Sequence, residues 1–589
     1  MEALLWLQKR YKNFTITSKI LHLKIITLGP STHNNMKKIY GLIFSISIFT
    51  LSVASAQTKR TSTAQSKISP AEVARPKLVV GLVVDQMRWD YLYRYYDRYT
   101  NGGFKRLVNE GFSAENTFIP YTPTYTACGH ASVYTGSVPA VNGIIGNDWY
   151  DPEIKKNMYC TQDTTVFTVG SSPSSEGQMS PKNMLTSTIT DELRLATNFK
   201  GKVIGISIKD RGSILPAGHA ANAAYWYQGT TGNWITSTYY MKEIPSWLAE
   251  YNKIKLANKF YSKNWETLYP INTYVNSTSD EKVYEGKNST FPHVLTQNID
   301  KNFDAIRSTP YGNTITLDLA KLAILSEDLG QDKITDFLAV SCSSTDYVGH
   351  QYGPNSIEAE DTYLRLDKDI EEFFDYLDKK VGKGNYTIFL TADHGAAHVP
   401  GFMAENKIPA GVVNDKDIAN KLNTFLNNKF KVNNVVLRSQ NNQIIFDHDK
   451  TDNGTVNFDA IKTASIEFLK RLEGFSNAVD ISKIAQSTLP EIQKKMITNG
   501  YNARRSGDIY YILNPNWFNG SNTGTTHGSW NPYDSHIPLV FMGWGIKQGA
   551  TNKTHYMTDI AATLAALLHI QMPNGCVGEP ITEITNPQN

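Results

Sequence analysis

Short apolar runs separated by helical patterns constrain the fold of this chain more than any other feature. The first run, 77–85, consists almost entirely of Val, Leu and Gly, and similar runs follow at 203–208, 337–342, 386–391 and 537–542. Runs of this length and composition are typical of strands that are buried on both faces of a sheet.

The segments between these runs favour helices. Residues 316–329 and 356–380 place apolar side chains at helical spacing. Strands that alternate with helices predict an α/β fold with a mostly parallel central sheet and helices on both faces. The stretch from about 216 to 313 breaks the alternation, because it is rich in Tyr, Trp, Asn, Thr and Ser without a clear period. We expect it to be an inserted cap near the functional site, with elements of its own.

The N-terminal region carries the pattern of a secretory signal. Met36 opens a short basic segment, 39–53 is apolar, and small residues precede Gln57. We therefore expect a signal peptide at 36–56, cleavage before Gln57 and a periplasmic protein, the alternative being an uncleaved membrane anchor. Because the apolar run is short for a membrane span, we expect no stable anchor after cleavage.

The rest of the chain divides into three further segments. Residues 1–35 precede the signal and are interpreted as a mis-called upstream extension. Residues 57–76 are rich in Ser, Thr, Ala, Lys and Pro and are predicted to form a flexible leader. The functional domain is predicted to occupy 77–589.

Charge and cysteine content narrow the class of protein. The formal net charge is only +3 in 589 residues, which argues against a nucleic-acid binder with a basic face. No two cysteines form a C-x-x-C pair, so a cysteine zinc site is not expected. Export would permit disulfides in any of three pairings, and buried structural or free thiols are the default. The cysteines are Cys128, Cys160, Cys342 and Cys576.

Acidic and histidine residues follow several of the predicted strands, where ligands bind in open α/β sheets. Asp346 and His350 have the spacing of one helical turn and can grip the same ion. Each such residue alone is more simply a helix cap or an ordinary polar group. Together they predict a metal site, and carboxylate with imidazole suits Zn²⁺. The full set is Asp85, Asp346, His350, Asp393, His394 and His527.

A hydroxyl residue at the start of a small-residue helical stretch, 125–132, is a candidate nucleophile. Backbone N–H groups at a helix start bind phosphate, and a metal ion would lower the pKa of a bound hydroxyl. Thr126 is the candidate, although a plain helix cap is the simpler interpretation. Thr122, Thr124 and Ser132 are rivals that these physical arguments do not rank.

The order of the motifs resembles that of the alkaline phosphatase superfamily, in particular its nucleotide pyrophosphatase/phosphodiesterase sequence group. The matching motifs are Asp85, Thr126-x-x-x-His130, the segment 143–147, Asp346-x-x-x-His350, Asp393-His394-Gly395 and His527. The resemblance implies an alkaline-phosphatase-like core that holds two Zn²⁺. One zinc would be bound by Asp346, His350 and His527. The other would be bound by Asp85, Asp393 and His394, with Thr126 bridging to it, and Asn147 would bind a phosphoryl oxygen.

Lys209 and Arg211 point to the substrate class. Two cations at a strand end can clamp the charge of a phosphate monoester dianion, and the alternative is an exposed charge cluster. The pair and the segment 224–234 resemble periplasmic phosphate-irrepressible alkaline phosphatases. The best-known alkaline phosphatases have a serine nucleophile and a magnesium site. Here the nucleophile is Thr126, and Lys209 is expected to fill that space, so no Mg²⁺ is predicted.

The sequence therefore predicts a monomeric zinc phosphatase that hydrolyses small phosphate monoesters through phospho-threonine and works at alkaline pH. A phosphodiesterase or nucleotide pyrophosphatase on the same scaffold is the nearest alternative. A sulfatase is less favoured, because Cys128 lacks the C/S-x-P-x-R context. A non-catalytic, zinc-stabilised binding protein is the alternative from another class.

Overall fold

The computed structural model describes residues 73–286, 289–452 and 457–586. The predicted extension, 1–35, the signal peptide, 36–56, and all but the end of the leader, 57–76, lie outside the described residues. Within the described ranges the strands are β1 Leu78–Val84, β2 Phe112–Phe118, β3 Asp148–Asp151, β4 Lys156–Tyr159, β5 Thr168–Val169, β6 Val203–Ser207, β7 Ala223–Gln228, β8 Asn233–Ser237, β9 Asp336–Cys342, β10 Tyr386–Thr391, β11 Gly411–Val413, β12 Val436–Gln440, β13 Gln443–Phe446, β14 Phe475–Asp480, β15 Ile509–Leu513, β16 Trp517–Asn519, β17 His536–Ile537, β18 Leu539–Gly543 and β19 Gly549–Tyr556.

Helices connect many of these strands. The longest, Ile357–Leu377, begins where the Ser356 hydroxyl accepts a hydrogen bond from the backbone N–H of Ala359, a common helix cap. In the described ranges we find no helix that combines the length and the apolar character of a membrane span. The α-helices are Tyr91–Arg94, Phe104–Glu110, Thr126–Thr135, Pro139–Asn142, Ile189–Ala196, Asp210–Ala217, Ser246–Lys253, Leu256–Tyr261, Tyr311–Ser326, Ser344–Tyr352, Ile357–Leu377, Pro400–Glu405, Asp415–Phe430, His448–Thr451, Phe458–Leu469, Glu491–Gly500, Pro532–Ser535, Asp559–Leu568 and Thr582–Thr585.

The main sheet confirms the predicted α/β fold. Its strand order is β17-β2-β18-β10-β1-β9-β6-β7-β8-β5, and β19 also pairs with β2. The central strands β10, β1, β9, β6 and β7 are parallel to one another. The apolar run 537–542 enters the sheet through β18, which is antiparallel to β10. The sheet is therefore mixed but mostly parallel at its centre.

The register of the central strands brings their carboxyl ends to one edge. Val83 of β1 pairs with Thr391 of β10, and Val84 pairs with Cys342 of β9. In β6, Ser207 pairs with Ser341 of β9. Each of these strands is buried along its whole length, as their apolar composition predicts. Polar residues that follow the four strands are therefore brought together.

The insertion expected at 216–313 stays a prediction, but the first part of this stretch belongs to the main sheet. It contains β7, which pairs in parallel with β6, and β8, which is antiparallel to β7. All six residues of β7 are buried, three of them aromatic. Aromatic residues favour strands, and Tyr225, Trp226 and Tyr227 follow that preference in β7. Short helices, Ser246–Lys253 and Leu256–Tyr261, follow these strands.

A second, small sheet lies within the segment 411–519, which the sequence analysis did not single out. Its strand order is β12-β13-β15-β14, and all of these neighbours are antiparallel. Helices Asp415–Phe430 and Phe458–Leu469 pack against it over a core that includes Leu422, Ile444 and Ile461. We call this unit the small sheet.

The cysteines match the default expectation of thiols without disulfides. In the described part of the chain all four are free. Cys128, Cys160 and Cys342 are buried, and Cys576 is partly exposed. Burial raises the pKa of the Cys128 thiol, so it remains protonated and unreactive.

Candidate active site

Thr126 is the first residue of helix Thr126–Thr135, and its side chain is buried at 1% exposure. Its hydroxyl oxygen lies 3.3 Å from Nε2 of His394. A Cβ on Gly129 would lie 2.4 Å from the backbone oxygen of Asp393, so glycine lets this helix approach the end of β10 closely. The helix N-terminus thereby presents a hydroxyl and a favourable dipole to an anion.

Carboxylates that follow three strands lie close together, and two of them bind one ammonium group. Lys209 Nζ donates to Asp85 Oδ2 at 2.7 Å and to Asp346 Oδ2 at 2.6 Å. The backbone N–H of Gln86 donates to Asp393 Oδ1 at 3.1 Å. Burial, and then the charge of Asp393, raise the pKa of Asp85 well above its ordinary value. The site thus concentrates buried negative charge that a divalent cation would relieve.

Each histidine of the site directs one ring nitrogen, Nδ1, to a backbone carbonyl oxygen. A carbonyl oxygen can only accept, so Nδ1 carries the proton and Nε2 keeps a lone pair for a metal. Burial lowers the pKa of His394 and His527, which favours the neutral ring that metals bind. The Nδ1 contacts are His350 to Thr525 O at 2.8 Å, His394 to Gly395 O at 2.9 Å and His527 to Thr124 O at 2.7 Å.

Two groups of side chains place their ligand atoms within 4.8 Å of one another. One is Asp346, His394 and His527, and the other is Asp85, Asp393 and His394. His394 belongs to both groups, and its ring stacks on that of His527 with centroids 3.4 Å apart. His350, assigned to the first group by the resemblance, lies beside it, with Nε2 at 3.1 Å from Asp346 Oδ1.

The residues present fit divalent metal ions. Asp85 Oδ1 and Asp393 Oδ2 are buried and, among the described residues, have no hydrogen-bond partner. His130 Nδ1 lies 3.3 Å from Asp393 Oδ2 but donates its hydrogen bond to the carbonyl oxygen of Thr126. Unpartnered carboxylate oxygens beside imidazole Nε2 atoms, with no thiolate among the donors, suit zinc.

The residues expected to bind phosphate lie beside helix Thr126–Thr135. Asn147 Oδ1 accepts a hydrogen bond from the backbone N–H of Ala127 at 3.0 Å, so this amide is held next to Thr126. Arg211 donates through Nη1 to the Tyr159 hydroxyl at 3.0 Å. Its Nε is buried and has no hydrogen-bond partner in the part of the chain that the structure describes.

The rival hydroxyls are occupied or lie apart from the metal ligands. Thr122 Oγ1 lies 2.8 Å from the Tyr510 hydroxyl, and Thr124 Oγ1 donates to the carbonyl oxygen of Ser529 at 3.0 Å. Ser132 is buried further along the same helix as Thr126. Of these four hydroxyls, that of Thr126 contacts His394, which favours it as the nucleophile.

Sequence analysis missed several residues that shape the site. Gln86 donates through Nε2 to Asp346 Oδ1 at 2.7 Å and has a left-handed backbone, with φ of 66°. His130, noted only as part of a motif, holds the first turn of helix Thr126–Thr135 through Nδ1. Tyr159 contacts Arg211. A polar residue directly after Asp85 was a signal for Gln86, but nothing local marked Tyr159.

A central parallel sheet with these ligand groups beyond its strands, and a hydroxyl at a helix start between them, is the arrangement expected from the alkaline phosphatase superfamily. The chain belongs to the type I phosphodiesterase/nucleotide pyrophosphatase family, whose model matches residues 79–536. The resemblance found in the sequence is thus confirmed.

The chain is similar to several named proteins over most of its length. It is 57% identical to alkaline phosphatase PhoV of Synechococcus elongatus over 93% of this chain and all of that protein. It is 56% identical to a protein named calcium-transporting ATPase of Myroides odoratus, over 88% of this chain and 96% of that protein. Alkaline phosphatase PafA of Elizabethkingia meningoseptica is 51% identical over 87% of this chain and 95% of that protein.

Solved structures of PafA share the fold. The wild-type crystal structure superimposes with a TM-score of 0.86, covering 87% of this chain and 100% of that chain. A further structure is of a variant in which a threonine, an asparagine, a lysine and an arginine are replaced together. Along that chain the four residue numbers differ successively by 21, 62 and 2. Thr126, Asn147, Lys209 and Arg211 have the same separations here.

Proposed function

We propose that this chain is an alkaline phosphatase that hydrolyses phosphate monoesters at a two-zinc site through phosphorylation of Thr126. The observation that carries the proposal is the position of Thr126. Its hydroxyl lies at a helix start, 3.3 Å from a histidine that belongs to both groups of potential ligands. The alkaline phosphatases PhoV and PafA, at 57% and 51% identity, support the same activity.

The two metal sites are assigned as the resemblance implies, with His350 as a ligand of the first zinc and His394 as a ligand of the second only. Bound zinc would supply Lewis acidity and lower the pKa of an oxygen attached to it. Thr126 would be a further ligand of the second zinc. The first zinc would be held by an acid and two histidines, and the second by two acids and one histidine: Asp346, His350 and His527, then Asp85, Asp393 and His394.

The side chains then carry out an in-line exchange at phosphorus. The Thr126 oxygen forms a bond to phosphorus as the ester P–O bond breaks and the alcohol leaves. Water hydrolyses the phospho-threonine, which releases inorganic phosphate and restores the hydroxyl. Asn147, Lys209 and Arg211 bind the non-bridging oxygens, where preorganised donors stabilise the charge of the transition state.

The two cations select the monoester, because its phosphoryl group carries two negative charges and that of a diester carries one. Lys209 is 3% exposed, and although burial alone would lower its pKa, the carboxylates of Asp346 and Asp85 raise it. The ammonium group therefore stays charged at every working pH. The replacement of equivalent lysine and arginine residues in the PafA variant supports a role for the pair.

Arg211→Ala tests this assignment. Loss of a charge-assisted contact in a partly desolvated site is expected to lower kcat/KM for an aryl monoester by roughly 30- to 1000-fold. The loss for the matching diester should be much smaller. Arg438→Ala, on the small sheet and over the Tyr150 ring, is a matched control that should leave both rates unchanged. Equal losses on both substrates would show that Arg211 is structural.

A phosphodiesterase or nucleotide pyrophosphatase is the second candidate, favoured by the name of the family model. It predicts that the unmodified enzyme hydrolyses a diester faster than a monoester. ATP with and without calcium should be assayed as well, because of the name of the Myroides relative. Faster cleavage of the aryl monoester than of either alternative supports the phosphatase.

Export to the periplasm, a monomeric state and the lack of a stable anchor are parts of the same proposal. The pattern at 36–56 supports export. N-terminal sequencing of the protein from the bacterial envelope should begin at or near Gln57. Soluble cytoplasmic protein that retains residues 1–56 would overturn this part alone.

A further inference from the structure

We propose that Tyr159 is a positioning residue that fixes Arg211 for the dianionic phosphoryl group, through hydrogen bonds that end on the carboxylate of Asp210. The inference rests on the proposed function, because it assigns Arg211 to the substrate. It adds a residue that belongs to none of the predicted motifs and touches neither the metal ligands nor Thr126 in any described contact.

The contacts form a directed chain. Arg211 Nη1 donates to the Tyr159 oxygen at 3.0 Å, and the Tyr159 hydroxyl donates to Asp210 Oδ1 at 2.8 Å. The second oxygen of Asp210 accepts from the Thr161 hydroxyl at 2.6 Å. Since the phenol proton is committed to Asp210, the lone pairs of the phenol oxygen are available to Arg211. The Tyr159 oxygen thereby fixes one terminal nitrogen of the guanidinium group, Nη1.

The same contacts separate two groups that would otherwise attract each other. Asp210 and Arg211 are adjacent in sequence and opposite in charge, and the Tyr159 oxygen lies within hydrogen-bonding distance of both. Burial raises the pKa of Tyr159 well above its ordinary value, so it stays a neutral donor. Without the hydroxyl, Asp210 becomes a competing acceptor for Arg211, and the charge offered to phosphate falls.

Tyr159 also links Arg211 to Asn147, another residue proposed to bind phosphate. It ends β4, which forms a hairpin with β3, and it pairs with Asp148 directly after Asn147. The backbone N–H of Cys160 donates to the carbonyl oxygen of Asn147 at 2.9 Å. One hairpin therefore sets the positions of Asn147 and Arg211 relative to each other.

Tyr159→Phe tests the inference, because it removes only the hydroxyl. We expect kcat/KM for an aryl monoester to fall about tenfold and that for the matching diester to fall by less than about threefold. Inhibition by inorganic phosphate should weaken in parallel. Tyr150→Phe, in β3 of the same hairpin, is the matched control and should leave these values unchanged.

The Arg211→Ala background separates positioning from general damage. There, Tyr159→Phe should cause almost no further loss of monoester activity, because the two residues act through one contact. Losses that multiply, or equal losses on monoester and diester, would overturn the inference.

Failure of the proposed function can be told apart from failure of this inference. If the proposed function is wrong, Arg211→Ala will itself not lower kcat/KM for the monoester more than for the diester. If Tyr159→Phe accumulates poorly, Thr161→Val is a second test, because it removes the hydrogen bond to the other oxygen of the Asp210 carboxylate. It should give a smaller loss with the same substrate bias, and a loss without that bias would also overturn the inference.

Discussion

The active-site edge of the main sheet and the small sheet bury opposite kinds of group. The edge gathers Asp85, Asp346, Asp393 and Lys209, all of them charged and less than 6% exposed. The small sheet buries apolar side chains such as Leu422 and Ile444. Buried charge is costly unless it is paired or bound to a metal, whereas apolar burial stabilises directly. The edge is thus organised for chemistry and the small sheet for support.

The turn between β12 and β13 makes contacts from the small sheet to the active-site region. Asn441 and Asn442, between β12 and β13, both have left-handed backbones. Asn441 Nδ2 donates to the carbonyl oxygen of Asp148 at 2.8 Å, and Asn442 Nδ2 donates to that of Gly528 at 3.1 Å. These acceptors are the neighbours of Asn147 and His527. The small sheet therefore steadies both sides of the site without adding a reacting group.

Of the substitutions in the two regions, Thr126→Ala is expected to lower activity most. Removing the nucleophile should abolish the phospho-enzyme and lower the rate by several orders of magnitude. Thr126→Ser keeps a hydroxyl and should keep much of the activity. Trapping the phospho-enzyme with labelled substrate, followed by peptide mass spectrometry, identifies the modified residue.

Ser132→Ala is the matched control in the same helix, and it should leave the phospho-enzyme intact. Near-normal turnover by Thr126→Ala would move the nucleophile to Thr124 or Thr122.

The next largest effect is expected from His394→Ala, because this side chain belongs to both ligand groups. Elemental analysis of the pure wild-type protein should give about two zinc ions per chain. The variant should lose zinc and activity together.

His398→Ala, a nearby histidine outside both ligand groups, should retain full zinc content. One zinc or none in fully active wild-type enzyme would contradict the site model.

The sequence predicted the edge well because its signals are local. Continuous apolar runs mark buried parallel strands, and the residues that end them, such as Asp85 and Asp393, fall at one edge by register alone. The small sheet was missed because its strands are short and mixed, as in Val436–Gln440, where exposed and buried residues alternate irregularly. β7 was assigned to the expected insertion because the stretch 216–313 shows no clear period. Tyr159 could not be found, since its partners lie about 50 residues away in sequence.

The smallest effect on chemistry is expected from the core of the small sheet. Leu422→Ala removes a fully buried side chain and should lower the free energy of unfolding by about 2–5 kcal/mol. The kcat of the folded enzyme should change little. Leu437→Ala, at 38% exposure in β12, is the control and should cost well under 1 kcal/mol. Thermal denaturation with activity assays separates the two quantities, and a large fall in kcat without loss of stability would give the small sheet a catalytic role.

Metal-dependent hydrolysis of monoesters can be decided with a single comparative assay. Hydrolysis of an aryl phosphate monoester and of its matching diester should be compared for the purified enzyme, before and after chelation and after zinc is restored. We predict a higher kcat/KM for the monoester, loss of both activities with chelator and recovery with Zn²⁺. Faster diester hydrolysis, or monoester hydrolysis that survives complete removal of metal, would contradict it.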